Sequence, residues 1–249
     1  MRFIFLLLFL IAFKSEGQKI TYTLVALCDN EFQGIVPVPK SIGNGDNPNT
    51  NLYWGCGYGL KTFFKKSSEW KLIKSQKIDT IILERLIFYN QKHDVYHIAD
   101  AYRGREIKKC NVDFFKAVAG KINNQVKIND SLYINTNQAT LINYIGHNGL
   151  MDFKMDFYPI RTDSLKRKTS ILACMSSQYY NVGVKISKSK PYVWTTNYMA
   201  PEAYTLHAII KSWMNNQTGY QAREAAAQAY NKYQKCGING ARNLFKTDF

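Results

Sequence analysis

Acidic residues are scarce in this chain of 249 residues: 18 Asp and Glu stand against 33 Lys and Arg, for a formal net charge of +15. That balance favours anionic surroundings such as cell-surface polymers, lipid headgroups or nucleic acid. No RNA- or DNA-binding motif accompanies it, and the lysines are scattered, with short clusters at Lys65–Lys66, Lys108–Lys109 and Lys166–Lys168. A solvated basic surface, without a specific nucleic-acid partner, is the simpler reading. There is no CxxC pair and no histidine close to two cysteines, which leaves no zinc pattern and implies no metal. The five cysteines, 28, 56, 110, 174 and 236, are an odd number. At least one thiol is therefore unpaired, or pairs between chains, if the protein is exported. Long apolar runs are missing too. Phe3 to Phe13 is apolar for eleven residues, short of the ~20 that a membrane span needs, and nothing later is longer. We find no internal repeat, no low-complexity tract and no linker.

What is present begins with MRFIFLLLFLIAFKSEGQ. Arg2 is a short positive n-region, Phe3–Phe13 the apolar core, and Ser15 and Gly17 stand at −3 and −1 of a cut before Gln18. This reads as a secretory signal peptide over 1–17, followed by one domain over 18–249, in a secreted or periplasmic protein. The cut would leave 31 basic and 17 acidic residues, a charge of +14. Apolar, β-rich runs at 19–30, 94–102, 139–146, 168–176 and 191–197 read as strands. GIVPVPKSIGNGDNPNTN (34–51) is a long irregular loop. Helices are expected over 107–120, ending at a glycine C-cap, over 201–215 and over 219–236. The alternation predicts an α/β three-layer sandwich, a mostly parallel sheet flanked by helices on both faces. Ligands then sit outside the carboxyl ends of the strands.

Two strand ends carry the chemistry. One reads Gly146-His147-Asn148-Gly149, and the next reads Leu172-Ala173-Cys174-Met175-Ser176. In a parallel sheet with neighbouring strands ~4.8 Å apart, His147 and Cys174 would emerge at one rim. A thiolate nucleophile needs an imidazole beside it to take its proton and protonate the leaving amine. Backbone amides at the two turns could receive an oxyanion. Each residue also has a plainer role. His147 could mark a tight turn, and Cys174 could pack as a small hydrophobe. Asp29 and Asp100 follow apolar strands and could bind a basic substrate side chain, or simply cap a loop or helix. Tyr53 and Trp54 could wall a pocket or join the core. Asp152 could orient His147 or could simply be solvated. Glu202 suits the first turn of a helix, and Met199–Glu202 could close the site. Cys56 before a helix is a rival thiol, with His147 as partner and Gln33 as oxyanion donor.

A strand ending in Tyr144-Ile145-Gly146-His147, with Gly149, and a second ending in Ala173-Cys174 resemble the caspase-like cysteine peptidases, the gingipain type most of all. ADAYRGREI, GHNGLMDF and MAPEAYTL add a resemblance to a bacterial secreted family outside the named peptidases of that group. The resemblance implies a caspase-like fold and peptide-bond hydrolysis without a cofactor. His147 would be general acid or base and Cys174 the nucleophile. The amides of Cys174 and of Gly149 or Asn148 would form the oxyanion hole, and a peptide or protein would be the substrate. Two positions depart from that pattern: Asn148 separates His147 from the glycine, and Leu172 is apolar where a polar residue often lines the specificity pocket. A non-catalytic binding protein using the same rim for a ligand or an anionic surface polymer is the alternative.

Overall fold

The computed structural model describes residues 18–249, so the signal-peptide expectation for 1–17 lies outside the described residues. In chain order the elements are β1 (Lys19–Ala26), α1 (Leu60–Lys66), β2 (Lys71–Gln76), β3 (Ile82–Asn90) and β4 (Val95–Tyr102). Then come α2 (Ile107–Val118), the small hairpin β5 (Gln125–Lys127) and β6 (Tyr133–Asn135), β7 (Leu141–Ile145) and β8 (Lys168–Leu172). The chain closes with α3 (Ser176–Tyr179), α4 (Asn181–Ile186), β9 (Lys190–Thr195), α5 (Ala203–Met214), α6 (Gly219–Gln234), α7 (Ile238–Leu244) and β10 (Phe245–Lys246).

Eight strands form one sheet in the order β10-β9-β8-β7-β1-β4-β3-β2. The five from β9 to β4 are parallel. Antiparallel β3 and β2 extend one edge, and antiparallel β10 the other. The sheet is therefore large and mostly parallel, as the alternation of strands and helices predicts. The β2–β3 hairpin is an addition that the sequence pattern did not expose. β3 reads ILERLIFYN, with two charged residues inside an apolar run, which obscures its period.

Both faces of the sheet are covered. On one side Tyr22, Leu24, Tyr144 and Ile171 meet α2 through Phe114 and Phe115, with Tyr180 and Val184 beyond. On the other, Val25, Leu141 and Leu172 meet α1, α5 and α6 through Phe64, Leu206, Ile210 and Ala226. Strands buried on both faces explain the near-continuous apolar runs of β1 and β7.

The charged residues of β3 are paired inside. Arg85 Nε and Nη2 bind Asp100 Oδ1 and Oδ2 at 2.6 and 2.7 Å, and Tyr22 donates to Asp100 Oδ2 at 2.6 Å. Asp100 is fully buried. It lies within β4, not at its end, which corrects its expected place at the rim: it holds β3 to β4 and β1. Removing it leaves a buried guanidinium without its anion. We expect Asp100→Ala to lower the unfolding free energy by roughly 3–5 kcal/mol in urea titrations.

His97 of β4 is a second fully buried ionisable group. Its Nε2 meets Thr23 Oγ at 2.8 Å, and the ring packs among Phe64, Trp70 and Phe88. Burial pushes its pKa down to about 3, against ~6.5 in the unfolded chain. Between those values the unfolded chain binds a proton that the fold excludes. Stability therefore falls as pH drops through that window, by up to ~1.4 kcal/mol per pH unit. In His97→Gln the slope of unfolding free energy against pH should flatten by about one proton between pH ~4 and ~6.

Candidate functional site

The chain runs from β1 to β4 on one side and returns through α2 to β7 on the other. The strand order thus reverses between β1 and β7, and a crevice opens outside their carboxyl ends. His147 follows β7 at that point. Gly146 makes the turn possible. Its φ is +145°, and a Cβ there would lie 2.9 Å from the Ala26 carbonyl oxygen. Only glycine fits that conformation and that contact.

β7 and β8 are in register with Ile145 opposite Leu172. His147 and Cys174 each stand two residues further on. The structure thus brings the two turns to one rim at neighbouring strand ends. Asn148 ties them together: its Nδ2 donates to the Cys174 carbonyl at 2.6 Å, while its Oδ1 accepts from the Leu150 amide at 3.1 Å. Asn148 is fully buried. The residue that departs from the peptidase pattern is therefore the strap between the two turns.

The imidazole is oriented from its far side. His147 Nε2 lies 2.8 Å from Asp152 Oδ2, which also accepts from the Gly34 amide at 3.0 Å. Tyr144 donates its hydroxyl to the His147 carbonyl at 2.7 Å. If Nε2 carries the proton toward the carboxylate, Nδ1 is left as the base. Among the described residues no hydrogen bond joins the imidazole to the Cys174 thiol, and Nδ1 has no partner.

Cys174 is half-buried under the segment after β9. The Met199 amide lies 3.4 Å from its Sγ and the Met199 carbonyl 3.7 Å. The next residue, Met175, is left-handed with φ +51° and is held by a bond from its amide to the Asn197 carbonyl at 3.0 Å. Such a residue stores of order 1 kcal/mol. Ser176 and Thr195 brace the turn from below: Ser176 Oγ donates to Ile171 O at 2.8 Å, and Thr195 Oγ donates to Ala173 O. Among the described residues the N–H groups of Asn148, Gly149 and Cys174 donate no hydrogen bond. Gly149 begins a short 3-10 turn, Gly149–Met151, and the first amides of such a turn have no partner within it.

The other expected site residues divide. Asp29 is near the rim, but its Oδ1 accepts from the Glu31 and Phe32 amides at 3.0 and 3.3 Å, capping its own loop. It also borders a cleft of about 440 Å³ shared with Lys40, Gly45, Asp46 and Arg105. Asp100 is inside the sheet, as described. Trp54 is fully buried and donates from Nε1 to Glu84 Oε2 at 2.7 Å, so it is core and no pocket wall. Tyr53 is buried as well, and burial raises its hydroxyl pKa, with the nearby Cys28 and Cys174 thiols adding to the rise. Burial pushes the adjoining Cys28 thiol up to about 11.

All five cysteines are free thiols. Cys56 precedes α1 by several residues. Its proposed oxyanion partner Gln33 commits its amide to the Leu27 and Gly104 carbonyls at 2.7 and 3.0 Å. The Cys56 alternative therefore lacks its side-chain donor. Three contributors had no distinct sequence signal: Gly34, Tyr144 through its hydroxyl, and Thr195. Gly34 and Thr195 act across the fold from distant segments, and the Tyr144 hydroxyl reaches a carbonyl three residues on. No group of His, Cys, Asp and Glu suited to a metal occurs among the described residues.

No model of a protein family matches this chain, and no curated protein or solved structure matches it either.

Asn148→Ala removes the strap and leaves the Leu150 amide without its acceptor. We expect a loss of about 1–3 kcal/mol in urea unfolding. A change below about 0.5 kcal/mol would show that the two turns hold their positions without it.

Proposed function

We propose that the protein is a secreted or periplasmic thiol-dependent amide hydrolase, most simply a cysteine peptidase of caspase-like kind. One observation carries this reading. An imidazole oriented by a carboxylate and a half-buried thiol stand at the carboxyl ends of adjacent parallel strands, strapped together by Asn148. The parallel order β9-β8-β7-β1-β4, with the site at the reversal of strand order, agrees with that reading. So does the resemblance of the GHNG and ACMS turns to the gingipain type.

In this mechanism Cys174 Sγ attacks the scissile carbonyl carbon. His147 Nδ1 takes the thiol proton and passes it to the leaving amine, and Asp152 stabilises the imidazolium between the two transfers. The tetrahedral oxyanion is received by free amides of Asn148, Gly149 and Cys174. Water, with His147 as base, then hydrolyses the thioester. No cofactor takes part.

The alternative is a binding protein using the same rim. It draws on the cleft beside Asp29, which is polar and open and contains neither His147 nor Cys174.

Iodoacetamide at neutral pH separates the two. Cys236 is exposed and serves as the reference for an accessible thiol. We expect Cys174 to label at least about tenfold faster than Cys236, and that excess to vanish in His147→Ala. Hydrolysis of a peptide library should disappear in Cys174→Ala. Labelling of Cys174 no faster than Cys236, with no peptide cleaved, sinks the hydrolase and leaves the binding protein.

A further inference from the structure

We propose that the face formed by α4 and the segment 154–160 docks on an anionic lipid surface. The proposal is independent of the hydrolase reading. Four large apolar side chains are exposed there: Phe157 at 57%, Ile160 at 59%, Val182 at 56% and Ile186 at 38%. Val182 and Ile186 are four apart on α4 and share its outer side. The segment runs alongside that helix. A Cβ on Gly183 would lie 2.5 Å from the Tyr158 ring, and Arg161 donates from Nη1 to the Lys188 carbonyl at 3.1 Å. Residues 158 and 161 therefore meet 183 and 188, so Phe157 and Ile160 are exposed on the segment that packs along α4. Soluble proteins seldom leave such residues grouped without a partner.

The surroundings are basic. Lys154, Lys185, Lys188 and Lys190 are exposed around the group. Lys185 Nζ lies 5.0 Å from the centroid of the half-exposed Phe249 ring, one more aromatic at the margin. The nearby carboxylates are already engaged: Asp156 with Lys108, Asp163 with Arg167, and Asp248 with Lys190. The remaining lysines give the face a positive field, in a chain that carries +15 overall. Apolar side chains ringed by lysine suit the headgroup boundary of an anionic bilayer, where the rings enter the acyl margin and the ammonium groups meet phosphate. A soluble polyanion would engage the lysines and give the apolar side chains nothing to enter. That contrast favours lipid. No helix among the described residues is long and apolar enough to cross a membrane, so the contact would be peripheral.

The test is co-sedimentation with vesicles of phosphatidylcholine containing about one quarter phosphatidylglycerol. Each variant is compared with wild type in the same full-length background, so the apolar N-terminal run contributes equally to both. Phe157→Ser with Ile160→Ser, and separately Lys185→Gln with Lys188→Gln, should each weaken partitioning about tenfold or more. Phe157→Trp, which keeps the apolar bulk, should bind like wild type, and its emission should shift to the blue on adding the vesicles. Unchanged partitioning in both double variants overturns the proposal, as does a tryptophan that does not shift. Binding that survives Phe157→Ser with Ile160→Ser, and that soluble polyphosphate competes away, also overturns it in favour of a polyanion.

Discussion

The placement of β7 between β1 and β8, parallel to both, is the constraint on which the rest of this structure depends. It reverses the strand order and opens a crevice at one rim. It also fixes the register that brings the His147 and Cys174 turns to neighbouring strand ends. Glycine at 146 is required because β1 passes so close, with Ala26 O against the site of any Cβ. Buried pairing therefore dictates the turn, and the turn dictates where the imidazole stands. The Arg85–Asp100 pair serves the same end at longer range, since it binds the β3 edge to the parallel strands through a fully buried carboxylate.

Asn148 shows how a departure from a sequence pattern can be reinterpreted by its contacts. It stands between His147 and Gly149. Its side chain satisfies two backbone groups, the Leu150 amide and the Cys174 carbonyl. Buried polar groups of this kind cost ~1–3 kcal/mol each when unsatisfied. Asn148 thus supplies a link between turns that a glycine could not make.

The parallel strands were legible because burial on both faces writes them as apolar runs, and α2, α5 and α6 because their apolar spacing and flanking Gly or Pro mark their ends. The β2–β3 hairpin was not legible. Its charged positions, Glu84 and Arg85, are satisfied by Trp54, Lys61 and Asp100, partners that only the fold brings near. The same limit explains Asp100. From sequence it follows an apolar stretch like a strand-end carboxylate, yet Tyr102, two residues later, still belongs to β4. Asp29 does lie past its strand, and its side chain turns back on its own loop. The His147 and Cys174 turns could be read because they are local. Gly34 and Thr195, which complete their surroundings, could not, because they arrive from a loop and a strand far along the chain.

Counting which polar groups are already committed narrows where chemistry can occur on this rim. Gln33 gives both its bonds to backbone carbonyls, Trp54 gives its indole to Glu84, and Asp29 accepts from two amides of its own loop. Structure uses these groups up. At the His147 and Cys174 turns the opposite holds. One imidazole nitrogen is fixed by Asp152 while the other has no partner among the described residues, and three backbone amides beside it donate to nothing there. Nearly all buried backbone amides in folded proteins find acceptors. Unengaged donors in the two turns that carry an oriented imidazole and a half-buried thiol are therefore the feature on which the proposed hydrolase reading rests.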